Sequence, residues 1–224
     1  MEICERYDKV AAKIANKARL VAVSKTKPSS QIRLLNQHGV KDFGENKVQE
    51  LDIKASELSD LPLSWHFIGQ LQSNKIKQLL KIPQLEYIHS ISSSKLLSLL
   101  YKNEGLLSHP LSFFLQVNTS GELEKGGFES FEQLCESIDF IQSQKSSSLK
   151  LCGLMTMGKI RTDNFIQSAH SSFSLLQSFQ SQLNSKYNLD LKLSMGMSQD
   201  YHIALEYQSD YVRVGSEIFG ARSI

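Results

Sequence analysis

Cysteine is scarce and unpaired in this sequence. Cys4, Cys135 and Cys152 are odd in number and contain no C-x-x-C spacing, so neither a disulfide framework nor a zinc knuckle fits them, and they suit a reducing compartment. An excess of charge of either sign is also lacking. Lys+Arg 25 against Asp+Glu 23 gives a formal net charge of +2, so bulk electrostatics point neither to nucleic acid nor to an anionic membrane surface, and any basic site must be local. No apolar run is long enough to cross a bilayer, and the stretch from Met1 to Arg6 leads into mixed charge without an apolar leader core. A cytoplasmic protein with no nucleic-acid or membrane partner is expected. What is present is 224 residues of 41% hydrophobic content, enough for one sizeable core, so a single domain over 1–224 is the default.

Short aliphatic or β-branched runs alternate with helix-period segments, the pattern of parallel strands joined by crossover helices. The runs begin near Leu20, Val40, Trp65, Tyr87, Phe113, Lys150, Leu191 and Tyr211. That number of units is what a (β/α)8 TIM-type barrel requires, although about 250 residues is more usual for that fold. Ile32 and Leu35 share a helix face between Pro28 and a Gly39 cap. Phe131, Leu134, Cys135, Ile138 and Ile141 form an apolar stripe behind a Ser130/Gln133 capping box. A third helix, from about Asn164 to Tyr187 with Thr162 or Asp163 as N-cap, should bury Phe165, Ala169, Phe173, Leu176, Phe179 and Leu183. Serine-rich pieces around Ser92 and Ser146 fall where turns are expected. A sandwich or an open doubly wound sheet would use the same strands, because strand order is not written in one sequence.

In such a barrel the site lies at the C-terminal ends of the strands. That rule selects Lys25, Glu45 with Asn46, Gly69 through Asn74, Asn118, Met155, Ser194 through Ser198, and Arg213 through Ser216. Ser198 reads as a helix N-cap able to help hold an anion, and the glycines of the Arg213–Gly220 run let the backbone approach a ligand. These are the loops where many such barrels bind phosphate, while ordinary glycine turns fit the spacing equally well. A lysine placed directly after an apolar strand has a partly desolvated amine suited to attacking an aldehyde. For a lone lysine such as Lys25 a solvated loop is the commoner fate. His66 lies on strand three without metal-ligand spacing and reads as a hydrogen-bonded structural histidine. Trp65 reads as core, and Met155 and Met157 either flank a ring or fill core space.

Taken together, AVSKTKP (Ala22 to Pro28), FGENKVQE (Phe43 to Glu50), WHFIGQLQSNK (Trp65 to Lys75), GLMTM (Gly153 to Met157), LSMGMSQD (Leu193 to Asp200) and VRVGSEIFGAR (Val212 to Arg222) resemble the signature segments of the pyridoxal 5'-phosphate (PLP) homeostasis proteins. The match runs in order through nearly the whole chain, with a segment before Leu20 shorter than the family shows. The resemblance implies a barrel like the alanine racemase N-terminal domain with PLP as cofactor. It implies that Lys25 is the Schiff-base lysine, that Ser198, Gly215 and Ser216 hold the phosphate, and that Arg213 faces the pyridine nitrogen. Asn46, His66 and Met155 would line the pocket. An arginine keeps its proton, so the ring nitrogen should stay unprotonated and act as a weaker electron sink.

The resemblance further implies a protein that buffers PLP or passes it to PLP-dependent apo-enzymes with little or no turnover; a monomer is expected, since the racemase dimer relies on a C-terminal β-domain that is not expected here. Two alternatives stand beside this: a PLP-dependent amino-acid racemase using Tyr201 or Glu45 as second base, and a barrel enzyme acting on a phosphorylated metabolite without PLP.

Overall fold

The computed structural model describes residues 2–122, 126–158 and 162–220. The strands are β1 (Arg19–Val23), β2 (Asp42–Glu45), β3 (Ser64–Phe67), β4 (Leu85–Ile91), β5 (Leu111–Gln116), β6 (Leu149–Met155), β7 (Lys192–Met197) and β8 (Tyr211–Val214). All pair in parallel in sequence order, and β8 returns to β1 to close the barrel. Each expected run is therefore a strand, and closure excludes the sandwich and the open sheet.

The helices are α1 (Ile3–Ile14), α2 (Ser29–Gln37), α3 (Val48–Glu57), α4 (Ile76–Leu79), α5 (Ser94–Lys102), α6 (Phe131–Ser143), α7 (Phe165–Tyr187), α8 (Tyr201–Glu206) and α9 (Ser216–Phe219). Local chemistry sets their ends. Gly39 follows α2 at φ +95°, a conformation glycine enters without strain. Ser130 caps α6 by accepting from the Gln133 N–H, while the Gln133 side chain bonds the Glu129 N–H, one residue earlier than an ideal capping box. The serine-rich pieces lie at junctions between elements: Ser93 caps α5 directly after β4, and Ser146 accepts from the N–H groups of Ser148 and Leu149 ahead of β6. For α7 the N-cap is Asn164, whose N–H donates to the Thr162 hydroxyl two residues earlier.

Strand alternation decides what faces where. On β1, Leu20 and Ala22 join the large hydrophobic layer between barrel and helices, whereas Val21 joins an interior cluster with Phe114, Met155 and Tyr211. On β8, Val212 and Val214 face the helices, and Tyr211 faces the interior. The interior is thus packed at this level, as barrels of this type require, and the cavity described below lies above that layer.

Candidate functional site

The cavity opens at the C-terminal ends of the strands and has a volume of about 520 Å³, the size of an ordinary small-molecule site. Its positions follow the strand pleat. Lys25 stands two residues beyond Val23, itself level with Gly44, so Lys25 and Asn46 come up side by side from β1 and β2. Gly69 makes that placement geometrically feasible: a Cβ there would lie 2.0 Å from the Asn46 carbonyl oxygen. From β8, Arg213 is level with Val21, one layer lower, and with 3% exposure it closes the floor.

The phosphate-type loops meet on the side of the lysine strand, because β8 pairs with β1 and Gly215 packs against Val23. The Gly215 N–H donates to the Ser198 hydroxyl at 3.3 Å, which ties the loop after β7 to the loop after β8, and Ser216 lies exposed beside them. Ser198 is not the helix N-cap expected from sequence. That position belongs to Asp200, whose carboxylate accepts from the Met197 N–H at 2.5 Å. The chain turns here because Gly196 takes φ +92° with its α-carbon against α8, where a Cβ would lie 2.7 Å from that of Ala204.

Arg213 is held from behind. Its Nη1 donates to the Ser194 carbonyl at 2.9 Å and to the Ser194 hydroxyl at 2.5 Å, and its Nη2 donates to the Thr156 carbonyl at 2.8 Å. Burial pulls its pKa down to about 10, opposed by the nearby Asp200 carboxylate, so it stays a cation at neutral pH. Burial in turn raises the Asp200 carboxyl, which the Met197 N–H and Arg213 partly offset.

Lys25 sits half-buried on a turn fastened from outside the barrel. The Lys27 N–H bonds the Ser24 carbonyl at 3.0 Å, and the Thr26 N–H bonds Glu50 at 2.5 Å. Lys54 of α3 donates at 2.8, 2.7 and 2.7 Å to the Ser24 carbonyl, Glu45 and Glu50, and the Ser24 hydroxyl donates to Glu45 at 2.6 Å.

Of the expected residues, the structure brings together Lys25, Asn46, Ser198, Arg213, Gly215 and Ser216 around one cavity. His66 and Met155 are not in its wall; both are fully buried in the layer beneath. His66 is hydrogen-bonded, as its sequence context suggested, and Trp65 is core. Met157 lines the cavity instead of Met155. Asn118 is spent on its own loop, bonding Phe128 and Glu122. The two residues considered as a racemase base lie elsewhere. Glu45 points outward to α3, because alternation from the cavity residue Asn46 puts it on the opposite face, and Tyr201 reaches toward Glu217 on the outside.

Sequence reasoning missed Phe165, Asp200 and Phe219, which complete the wall. Periodicity alone places Phe165 in the helix core, but as the first residue of α7 it lines the cavity. Residues 221–222, the end of the last motif, lie outside the described residues. Among the described residues no helix is long and apolar enough to cross a membrane, and no group of three or more His, Cys, Asp or Glu side chains could hold a metal ion.

The sequence profile of the alanine racemase N-terminal domain family matches residues 2–223. The pyridoxal phosphate homeostasis protein of Schizosaccharomyces pombe is 40% identical over 205 residues, covering 91% of this chain and 84% of that protein. The protein of that name from Pseudomonas aeruginosa is 38% identical over 232 residues, covering 98% and 96%. In three dimensions the chain is similar to PipY of Synechococcus elongatus, a structure solved with PLP bound, at a TM-score of 0.88 and 31% identity over 98% of this chain and 100% of that one. With the barrel, the cavity and these likenesses in agreement, the chain belongs to the pyridoxal phosphate homeostasis proteins, within the alanine racemase N-terminal domain family.

Proposed function

We propose that this protein binds PLP at the mouth of its barrel through Lys25 and serves to buffer or deliver the cofactor, with little or no turnover of its own. The observation that carries the reading is the convergence of a lysine amine, a buried guanidinium and a seryl and glycyl cradle on one cavity of about 520 Å³. When bound, PLP supplies an aldehyde that condenses reversibly with an amine and a phosphate that seeks hydrogen-bond donors. The donors fit both ends. Lys25 offers the amine. Ser198 and Ser216 offer hydroxyl donors to an anion, and Gly215, whose N–H is held by Ser198, lets the anion approach closely because it has no side chain there.

Arg213 at the floor presents a donor to the ring edge that remains protonated, so it would leave a ring nitrogen unprotonated. That disfavours carbanion chemistry and suits storage rather than catalysis. The outward placement of Glu45 and Tyr201 supports the same reading, because it leaves neither residue in a position to act as a second base. Recipients of the cofactor would be PLP-dependent apo-enzymes, and the protein would act as a cytoplasmic monomer.

The test is the visible absorption spectrum with added PLP, comparing wild type with Lys25→Ala before and after borohydride. A band that reduction fixes covalently in wild type, and that the variant lacks entirely, is expected. A band retained by Lys25→Ala would move the anchor to another amine, and no band in either protein would return the cavity to other phosphorylated ligands.

A further inference from the structure

Beneath the cavity floor the barrel interior carries a string of polar side chains, of which Arg213 alone among the described residues lines the cavity. From Arg213 the string continues through the Ser194 hydroxyl, 2.8 Å from His89 Nδ1. His89 Nε2 lies 2.9 Å from His66 Nδ1, and His66 Nε2 lies 3.0 Å from Asp42 Oδ1. There Asp42 also accepts from Arg19 at 2.5 Å, and Arg19 donates to the Tyr87 hydroxyl at 2.7 Å. Both imidazoles are fully buried. Tyr87 stacks on His66 and Phe114 on His89, with ring centroids 4.4 and 4.5 Å apart.

The direction of each bond can be worked out from one end. Burial drives both histidines toward the neutral form, so each ring carries one N–H. Burial also opposes the charge on Asp42, but hydrogen bonds from His66 and Arg19 outweigh it and hold the carboxyl below its ordinary range. Asp42 therefore only accepts, and His66 must carry its hydrogen on Nε2. Its bare Nδ1 accepts from His89 Nε2–H. The bare Nδ1 of His89 then accepts from the Ser194 hydroxyl, which leaves the serine lone pairs to Arg213.

We propose that Ser194, His89, His66 and Asp42 are a positioning relay: the Arg19–Asp42 ion pair at the N-terminal end of the barrel strands fixes two histidine tautomers, and these fix the acceptor that orients Arg213 toward the ligand ring. The identity of that ring rests on the PLP reading above. Were the terminal group at position 42 a donor, the order would reverse, and His89 Nδ1–H would compete with Arg213 for the serine oxygen.

The experiment pairs a tautomer measurement with a ligand that lacks the ring nitrogen. Histidine side-chain ¹⁵N spectra of wild type should show Nε2–H at both His66 and His89, with Nδ1–H forms growing in Asp42→Asn. Affinity is then measured for PLP and for its analogue with carbon in place of the ring nitrogen, in Asp42→Asn and in Ser194→Ala, which cuts the link with least disturbance to folding. We expect about tenfold weaker PLP binding, the scale of one misdirected charge-assisted hydrogen bond, and less than about twofold change for the carbon analogue. Nδ1–H on either histidine in wild type would overturn the relay's direction. Equal losses for both aldehydes would overturn its positioning role. Failure of wild type to bind either aldehyde would overturn the PLP reading itself, and the tautomer spectra would still decide the direction.

Discussion

Two buried polar networks reach the cavity from opposite sides of the barrel wall, and they solve the same problem differently. The outer one, Lys54 with Glu45, Glu50 and Ser24, lies between the strands and α3 and fastens the turn that carries Lys25. The inner one runs from Arg19 and Asp42 through His66, His89 and Ser194 to Arg213. In the outer network full charges meet directly in a desolvated place: the Lys54 side chain is 7% exposed and that of Glu45 0%. In the inner network the paired charges Arg19 and Asp42 are partly exposed, at 36% and 18%, and the neutral side chains of His66, His89 and Ser194 carry the interaction through the interior to the buried Arg213 cation. A direct pair gives rigidity at the cost of desolvation, and a neutral string transmits orientation with less of that cost.

The largest effect should come from breaking the outer pair. Lys54→Met strands the Glu45 carboxylate, one oxygen of which already lacks a partner among the described residues. Unfolding in urea should show a loss of about 3–5 kcal/mol, and the double variant with Glu45→Gln should recover most of it, because removing both charges restores a burial that is nearly neutral. A loss below about 1 kcal/mol would mean the pair behaves as an exposed one, and the contrast between the networks would fail.

Much of this arrangement was legible in the sequence because the strand pleat is. Once β1 and β8 are placed, a period of two puts Val23, Lys25, Arg213 and Gly215 on one face and Ser24 and Val214 on the other. The eight strands could be read that way, and the motif resemblance singled out Lys25 and the five cavity residues around it. What stayed hidden depended on neighbours distant in the chain. Nothing local to His66 says that position 89 offers it a ring nitrogen or that position 42 offers a carboxylate, since these meet only when β2, β3 and β4 align in the barrel. The same holds for Ser198. Its spacing before α8 resembled a cap, but its hydroxyl is taken by a backbone N–H seventeen residues later. Phe165 misled for the opposite reason: its helical periodicity was real, but the first residue of a helix projects beyond the core that the later turns cover.

The smallest predicted effect is the most discriminating, because the two networks should respond to pH with opposite sign. Asp42 is depressed below its ordinary 3.8, so the unfolded chain binds the proton more tightly. Its contribution is fully present above that value and is lost as pH falls through the folded one. Glu45 is raised above its ordinary 4.5, burial outweighing Lys54 and Ser24, so the folded chain binds the proton more tightly. Its contribution is present below 4.5 and is lost as pH rises through the folded value. Urea midpoints measured across the acid range should therefore show wild type gaining on Asp42→Asn as pH climbs toward 3.8, then falling back against Glu45→Gln above 4.5. If wild type instead gains on Glu45→Gln over that upper window, attraction to Lys54 exceeds the desolvation of the carboxylate. The outer network would then stabilise through its charges in the same sense as the inner one.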